Sequence, residues 1–251
     1  MNLLDFANEE HRLVLNGMAL HGEFYENAAG ATVAFSNLVG DPIADCESFL
    51  RFHAKAKKHH TLAVLSAVRR HRAQASLNLR SYLEATVQAA FALAHPDISN
   101  YFDVTRLTPV DEQKVMKRAY KWVAEKYPPS NESIKGIKDR INGTDAHASF
   151  ASSQHNFHFD PESRAIHTPF FDIEDVQFVN FQLYLCAQAG LIGLDLILVA
   201  RNDFGCFLSA RDIDQIWSNL THENDTLLQR LLEEPRWVAA AQAADPGDKP
   251  R

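Results

Sequence analysis

The clearest pattern in the chain lies at residues 61–95. Leu62, Leu65 and Val68, then Leu79, Leu83, Val87, Ala90 and Leu93, recur at intervals of three and four, the period that lines one face of an α-helix. Pro96, which has no amide proton to donate, stops the pattern. The spacing predicts one long amphipathic helix over 61–95. A polar stripe at spacing four, Arg72, Ser76, Arg80, Glu84 and Gln88, runs opposite the apolar face. Arg80 and Glu84 are helical neighbours able to pair across one turn.

Either side of this element the same reading continues. Residues 3–33 mix apolar and charged positions at helical spacing and are expected to be helical over much of their length. GDPIAD at 40–45 reads as a turn with Pro42 in a first-helical-turn position, followed by a helix toward His60. Residues 100–109 read as a loop. Thr108 as cap and Pro109 at the first position then start a helix over about 110–126. After the double proline Pro128-Pro129, a short helix is expected from about Asn131 on Ile134, Ile137 and Ile141, broken near Gly143, with 146–153 helical again.

The texture then changes. HNFHFD at 155–160 and AIHTPFF at 165–171 surround a turn-like PESR, the one convincing β-hairpin in the pattern. The most apolar segment is 178–200, long enough to span a bilayer, but Asn180, Gln182, Gln188 and Asp195 interrupt it. A charge near the middle of a lone span is costly. The reading is a buried helix over 175–202 in a bundle, with no membrane partner. Residues 209–220 and 222–243 read as one or two closing helices. The fold class expected is mostly α, a multi-helix bundle with a small β-hairpin insertion. We read one helical domain over 1–243: N-terminal helices over 1–60, a core over 61–202 carrying the hairpin at about 155–171, and closing helices over 203–243. Residues 244–251 read as a disordered tail.

Composition narrows the function classes. A chain of 251 residues with 46% hydrophobic and 23% charged positions can bury a sizeable core and belongs with ordinary globular proteins. Cys46, Cys186 and Cys206 have no paired spacing, which argues against a disulfide framework or a zinc ribbon. The opening MNLLDFANEEHR lacks the basic-then-apolar order of a secretory leader, so a cytoplasmic protein is expected. The net charge is −7, yet no Asp or Glu stands between Arg51 and Leu83. Arg51, Lys55, Lys57, Lys58, Arg69, Arg70, Arg72 and Arg80 fall in or at the edge of that stretch. The stretch from Arg51 to Arg80 is a candidate RNA-facing patch, with a solvated helix face as the plainer alternative.

Few motifs carry chemistry. Twelve histidines invite a metal, but adjacent His59 and His60 point about 100° apart on a helix, and His155 and His158 face opposite ways on a strand. No HExxH, Glu-x-x-His pair, GxGxxG or Walker loop is present. Neither a metal nor a cofactor is expected. Asn180, Tyr184, Gln188 and Asp195 form a polar seam on the apolar helix and need partners. Arg80 or His147 from facing helices could supply them, or the seam faces water or a subunit boundary. A small-molecule pocket lined by Tyr184, Gln188 and Asp195 is a further option.

One segment remains, DRINGTDAHASF at 139–150, with Arg140 and His147 seven positions apart around Gly143. It matches the loose pattern R-x(4–6)-H. With Arg80-Ser-Tyr-Leu-Glu84 upstream and His147-Ala-Ser149 within it, the chain resembles the HEPN-type helical bundle family, in particular a poorly described bacterial branch. The resemblance covers roughly residues 61–200. It departs from the commonest form in carrying Ile141 directly after the Arg, with Asn142 as the nearest polar stand-in. What the resemblance implies is a metal-independent ribonuclease or toxin-type nuclease, active as a homodimer, with Arg140 and His147 catalytic and Arg80, Glu84 and Asn142 in support. The chemistry is sound on its own terms. A neutral His can take the 2′-hydroxyl proton and a guanidinium can face the phosphorane charge. The alternative is a non-catalytic binding or oligomerisation module, with Arg140 as a helix-end cation, Gly143 as a left-handed cap and His147 as a satisfied structural histidine.

Overall fold

The computed structural model describes residues 2–42, 46–103, 105–144, 157–172, 175–209 and 211–235. The chain starts on a capping box. The Asn2 carboxamide accepts from the Leu4 and Asp5 amides, and the Asp5 carboxylate accepts from the Asn2 amide at 2.8 Å. Three helices follow where one long helical region was read: α1 (Leu3–Leu15), α2 (Gly17–His21) and α3 (Glu23–Ser36). Gly22, at φ +48°, makes the turn into α3. Then come β1 (Val39–Pro42), α4 (Glu47–Val68), α5 (Arg72–Ala94), β2 (Phe102–Asp103), β3 (Thr108–Pro109), α6 (Glu112–Lys126) and α7 (Pro128–Thr144). After them lie β4 (His158–Asp160), β5 (Ala165–His167), α8 (Val176–Phe204), β6 (Phe207–Ser209) and α9 (Ile213–Leu232). The fold is the mostly α, multi-helix bundle that the pattern predicts.

Helix α8 is the axis of the bundle and packs against α3, α4, α5, α7 and α9. By length and composition it could cross a membrane, with a mean hydropathy of 1.9, but 78% of that window is buried inside the protein. Two glycines let neighbours come close. A Cβ at Gly190 would sit 2.6 Å from His60 Nε2, and one at Gly193 would fall on the Tyr82 hydroxyl. Tyr82 is fully buried, donates to the Gly190 carbonyl at 3.1 Å, and packs edge-on against Phe35.

The long helix expected over 61–95 is two helices. α4 closes at Val68, and Arg70 adopts the left-handed conformation at φ 60°. The Arg70 amide donates to Ala67 O and the His71 amide to Ser66 O, the paired bonds of a Schellman ending. A distant residue secures the turn: Asp172 accepts from the Arg72 amide at 2.7 Å and donates its own amide to Arg70 O. α5 then folds back on α4, where His59 Nδ1 meets Asn78 Oδ1 at 3.1 Å.

Three smaller differences have local causes. Helix α6 is capped by Asp111, whose carboxylate accepts from the Gln113 and Lys114 amides. Thr108 and Pro109, expected as its cap and first residue, instead pair with Asp103 and Phe102 in a small hairpin. Helix α7 starts at Pro128, the position where proline fits a helix, rather than at about Asn131, and is described to Thr144, so the residues beyond the break expected near Gly143 lie outside the described ones. The hairpin expected at 155–171 forms its ladder at His158–Asp160 and Ala165–His167. A further antiparallel pair, β1 with β6, ties the entry of α4 to the exit of α8. Among the described residues the closing segment is one helix, α9. The expected helix at 146–153 and the tail at 244–251 fall outside the described residues.

Candidate functional site

Three of the residues singled out in the sequence meet at one place. On α5, Arg80 Nε donates to Glu84 Oε1 at 3.2 Å, the pairing one turn apart that the stripe predicts. Arg80 also reaches α7, where its Nη1 lies 3.4 Å from Asn142 Oδ1. Lys138, one turn before Asn142 on α7, approaches Glu84 Oε1 at 3.8 Å and donates to the Tyr120 hydroxyl of α6 at 2.9 Å. Its ammonium also stands over the Tyr120 ring, 4.3 Å from the centroid. Partial burial lowers the Lys138 pKa, opposed by the Glu84 charge. Burial, then Glu84, raises that of the Tyr120 phenol. The network staples α5, α6 and α7 together. Each half-exposed pair within it contributes no more than about 1 kcal/mol.

Arg140 belongs to a different face of the same helix. It is exposed, and two helical positions separate it from Asn142, a rotation of about 200°. Its charge is felt at Tyr184 on α8, where burial raises the phenol pKa, Arg140 lowers it and Asp225 raises it. The sequence-predicted set therefore divides. Arg80, Glu84 and Asn142 are brought together, and Arg140 lies on the side of α7 from which its charge acts on Tyr184 of α8. His147 lies outside the described residues.

The polar seam on α8 finds partners other than Arg80. Asn180 Oδ1 meets His21 Nδ1 at 2.9 Å, and Asn180 Nδ2 donates to Gln177 Oε1. Asp195 accepts from the Ser130 hydroxyl at 3.3 Å, and burial raises its carboxyl pKa. The Gln188 carbonyl is buried without a partner. The three cysteines are buried, and burial pushes the thiols of Cys186 and Cys206 up to about 12, which makes them poor nucleophiles at neutral pH. No group of three metal-ligating side chains occurs among the described residues.

The basic stretch does not form one patch. Arg51 pairs with Glu47 at 2.5 Å, Arg69 with Glu10 at 3.4 Å and Arg80 with Glu84. His71 also meets Glu10, at 2.7 Å. Lys55, Lys57 and Lys58 stand exposed on α4 beside the exposed Arg51.

A cavity of about 580 Å³ opens between α4, α5, α6 and the segment that holds β2 and β3. Periodicity had pointed to its α5 wall through the polar stripe, since Glu84 and Gln88 line it. Its other walls, Phe52, Tyr101, Phe102 and Met116, come from segments distant in the chain and left no joint signal. No known protein family, curated protein or solved structure matches this chain.

Proposed function

We propose that the chain is a HEPN-like, metal-independent ribonuclease, working in the cytoplasm as a homodimer. One observation supports this reading above the others. The Arg80–Glu84 pair of α5 holds α7 at Asn142 and Lys138, so the helix that carries Arg140 is fixed by the residues the resemblance assigns to support. In this mechanism neutral His147 takes the proton from a ribose 2′-hydroxyl. The oxygen attacks the adjacent phosphorus while Arg140 faces the charge that builds on the phosphorane; the P–O5′ bond then breaks, leaving a 2′,3′-cyclic phosphate and a 5′-oxygen that takes up a proton to become a hydroxyl. Arg80, Glu84 and Asn142 position the helix. A dimer places two Arg–His pairs in one cleft.

The deciding experiment is cleavage of single-stranded RNA in EDTA. Wild type is expected to cleave. His147→Ala is expected to abolish cleavage and leave the helical circular dichroism unchanged, and equal activity in the two proteins sinks the proposal. A second expectation concerns binding. Lys57→Gln with Lys58→Gln should weaken RNA binding and reduce its logarithmic salt slope by about 0.7 for each lysine that contacts phosphate. An unchanged slope removes α4 from the RNA path.

The competing reading, a binding module without chemistry, is favoured by a separate observation, the 580 Å³ cavity beside Glu84. It predicts no cleavage by either protein.

A further inference from the structure

The hairpin of β4 and β5 stands apart from the bundle. Its strands pack on each other, and no helix among the described residues makes more than a marginal contact with them. His158, Phe159, Ile166 and His167 are all exposed. A two-stranded hairpin on its own is marginally stable in water, so a clip between its strands has a large effect on its order.

The turn decides which side chains face each other. Asp160 accepts from the Glu162 amide at 3.0 Å and from the Ser163 hydroxyl, and Arg164 takes the left-handed conformation at φ 55°. The register that follows sets Asp160 opposite Ala165, Phe159 opposite Ile166 and His158 opposite His167. Side chains alternate between the two faces, so the histidines share one face, and Phe159 and Ile166 share the other. A slip of one residue would separate the two imidazoles. Spacing along one strand offers no chelating pair at 155 and 158; the pair forms across the hairpin.

The two rings are 6.1 Å apart between centroids and inclined by 31°. Two imidazoles on one tetrahedral zinc, each with a Zn–N bond of about 2.1 Å, have centroids about 5 Å apart. Rotation about the side-chain bonds of two exposed residues covers that difference. Asp160 lies on the same face, but its oxygens serve the turn. The protein therefore supplies two nitrogens, and water completes the coordination.

We propose that His158 and His167 form a two-histidine site for a divalent transition-metal ion of the zinc, nickel and copper class, which clips β4 to β5. Imidazole nitrogen suits these ions, whereas magnesium and calcium take oxygen ligands. The ion has no part in the RNA cleavage proposed above, and the site does not depend on Arg140 or His147.

The test uses the full chain, stripped with EDTA, dialysed, and titrated by calorimetry with zinc chloride and separately with magnesium chloride. The expected result is saturable zinc binding that His158→Gln and His167→Gln each weaken by about tenfold or more, with no matching magnesium site. Both positions are exposed, so the variants should keep the wild-type helical circular dichroism. His222→Gln, at an exposed position on α9, should leave zinc affinity unchanged. Amide exchange places the ion: zinc should slow exchange over residues 158–167 in wild type and not in His167→Gln. Equal zinc affinity in wild type and either hairpin variant, an equal loss in His222→Gln, equal binding of magnesium, or exchange over 158–167 unaffected by zinc overturns the proposal.

Discussion

Replacing Gly193 with alanine is expected to destabilise the fold by about 3 kcal/mol, read as a lower urea midpoint with an unchanged slope. The new methyl would fall on the Tyr82 hydroxyl and approach Tyr82 Cζ at 2.7 Å. Tyr82 has nowhere to retreat. It is fully buried, with His60 at 4.8 Å between ring centroids on one side and Phe35 at 5.2 Å on another. Moving the ring also breaks its hydrogen bond to the Gly190 carbonyl, at a further cost of about 1 kcal/mol. A double-mutant cycle separates the clash from any general intolerance of Ala in α8. Tyr82→Phe removes the oxygen that the methyl strikes, so the double variant should be more stable than the sum of the single effects by about 1 kcal/mol or more. A Gly193→Ala variant within about 0.5 kcal/mol of wild type would show that α5 and α8 separate without cost.

That contact also shows the reach of pattern reading. Periodicity located α8 and α5 because each presents apolar residues at the helical interval. It carried no information on which turn of one meets which turn of the other, and so not on why glycine stands at 190 and 193. The break at 69–71 has a similar origin. The apolar positions pause between Val68 and Ala75, but the pause contains Arg70 rather than glycine in the left-handed position, and the residue that secures it, Asp172, lies about a hundred positions away. The Thr108-Pro109 pair carried a helix-start signal that a local hairpin took over, leaving Asp111 to cap α6.

Part of the candidate site was legible for the same reason that the helices were. Arg80 and Glu84 pair within one turn of one helix, which spacing specifies. Their link to Asn142 crosses from α5 to α7 and was reached through a family resemblance rather than through period. Lys138 and Tyr120 complete that network and had no local signal, since a lysine on an exposed helical pattern reads as a solvated side chain. The cavity is the extreme case. Its walls come from three helices and a connecting segment, and only the stripe ending in Gln88 marked any of them.

The buried histidines make the fold sensitive to mild acid, and His60 should dominate. It is completely buried between α3, α4 and α8. Its Nε2–H donates to the Cys186 carbonyl at 2.8 Å, and its Nδ1 lies 2.9 Å from the Thr32 hydroxyl. Burial lowers its pKa from 6.5 to about 4, because the imidazolium would lose its hydration. In the unfolded chain the group titrates near 6.5. Between these values the unfolded state binds the additional proton, so stability is complete above about pH 6.5 and falls as the pH drops toward 4. The limiting slope is about 1.4 kcal/mol per pH unit, and the total from His60 is about 3 kcal/mol. Burial lowers the pKa of His53 and His21 as well, which adds to the loss in the same direction. His60→Gln keeps an N–H for the Cys186 carbonyl but cannot take up a proton. Its urea midpoint should therefore fall less than that of wild type between pH 7 and pH 5, even if it starts lower. Parallel loss in the two proteins would mean that His60 is hydrated in the native state and that α4 does not seal against α8.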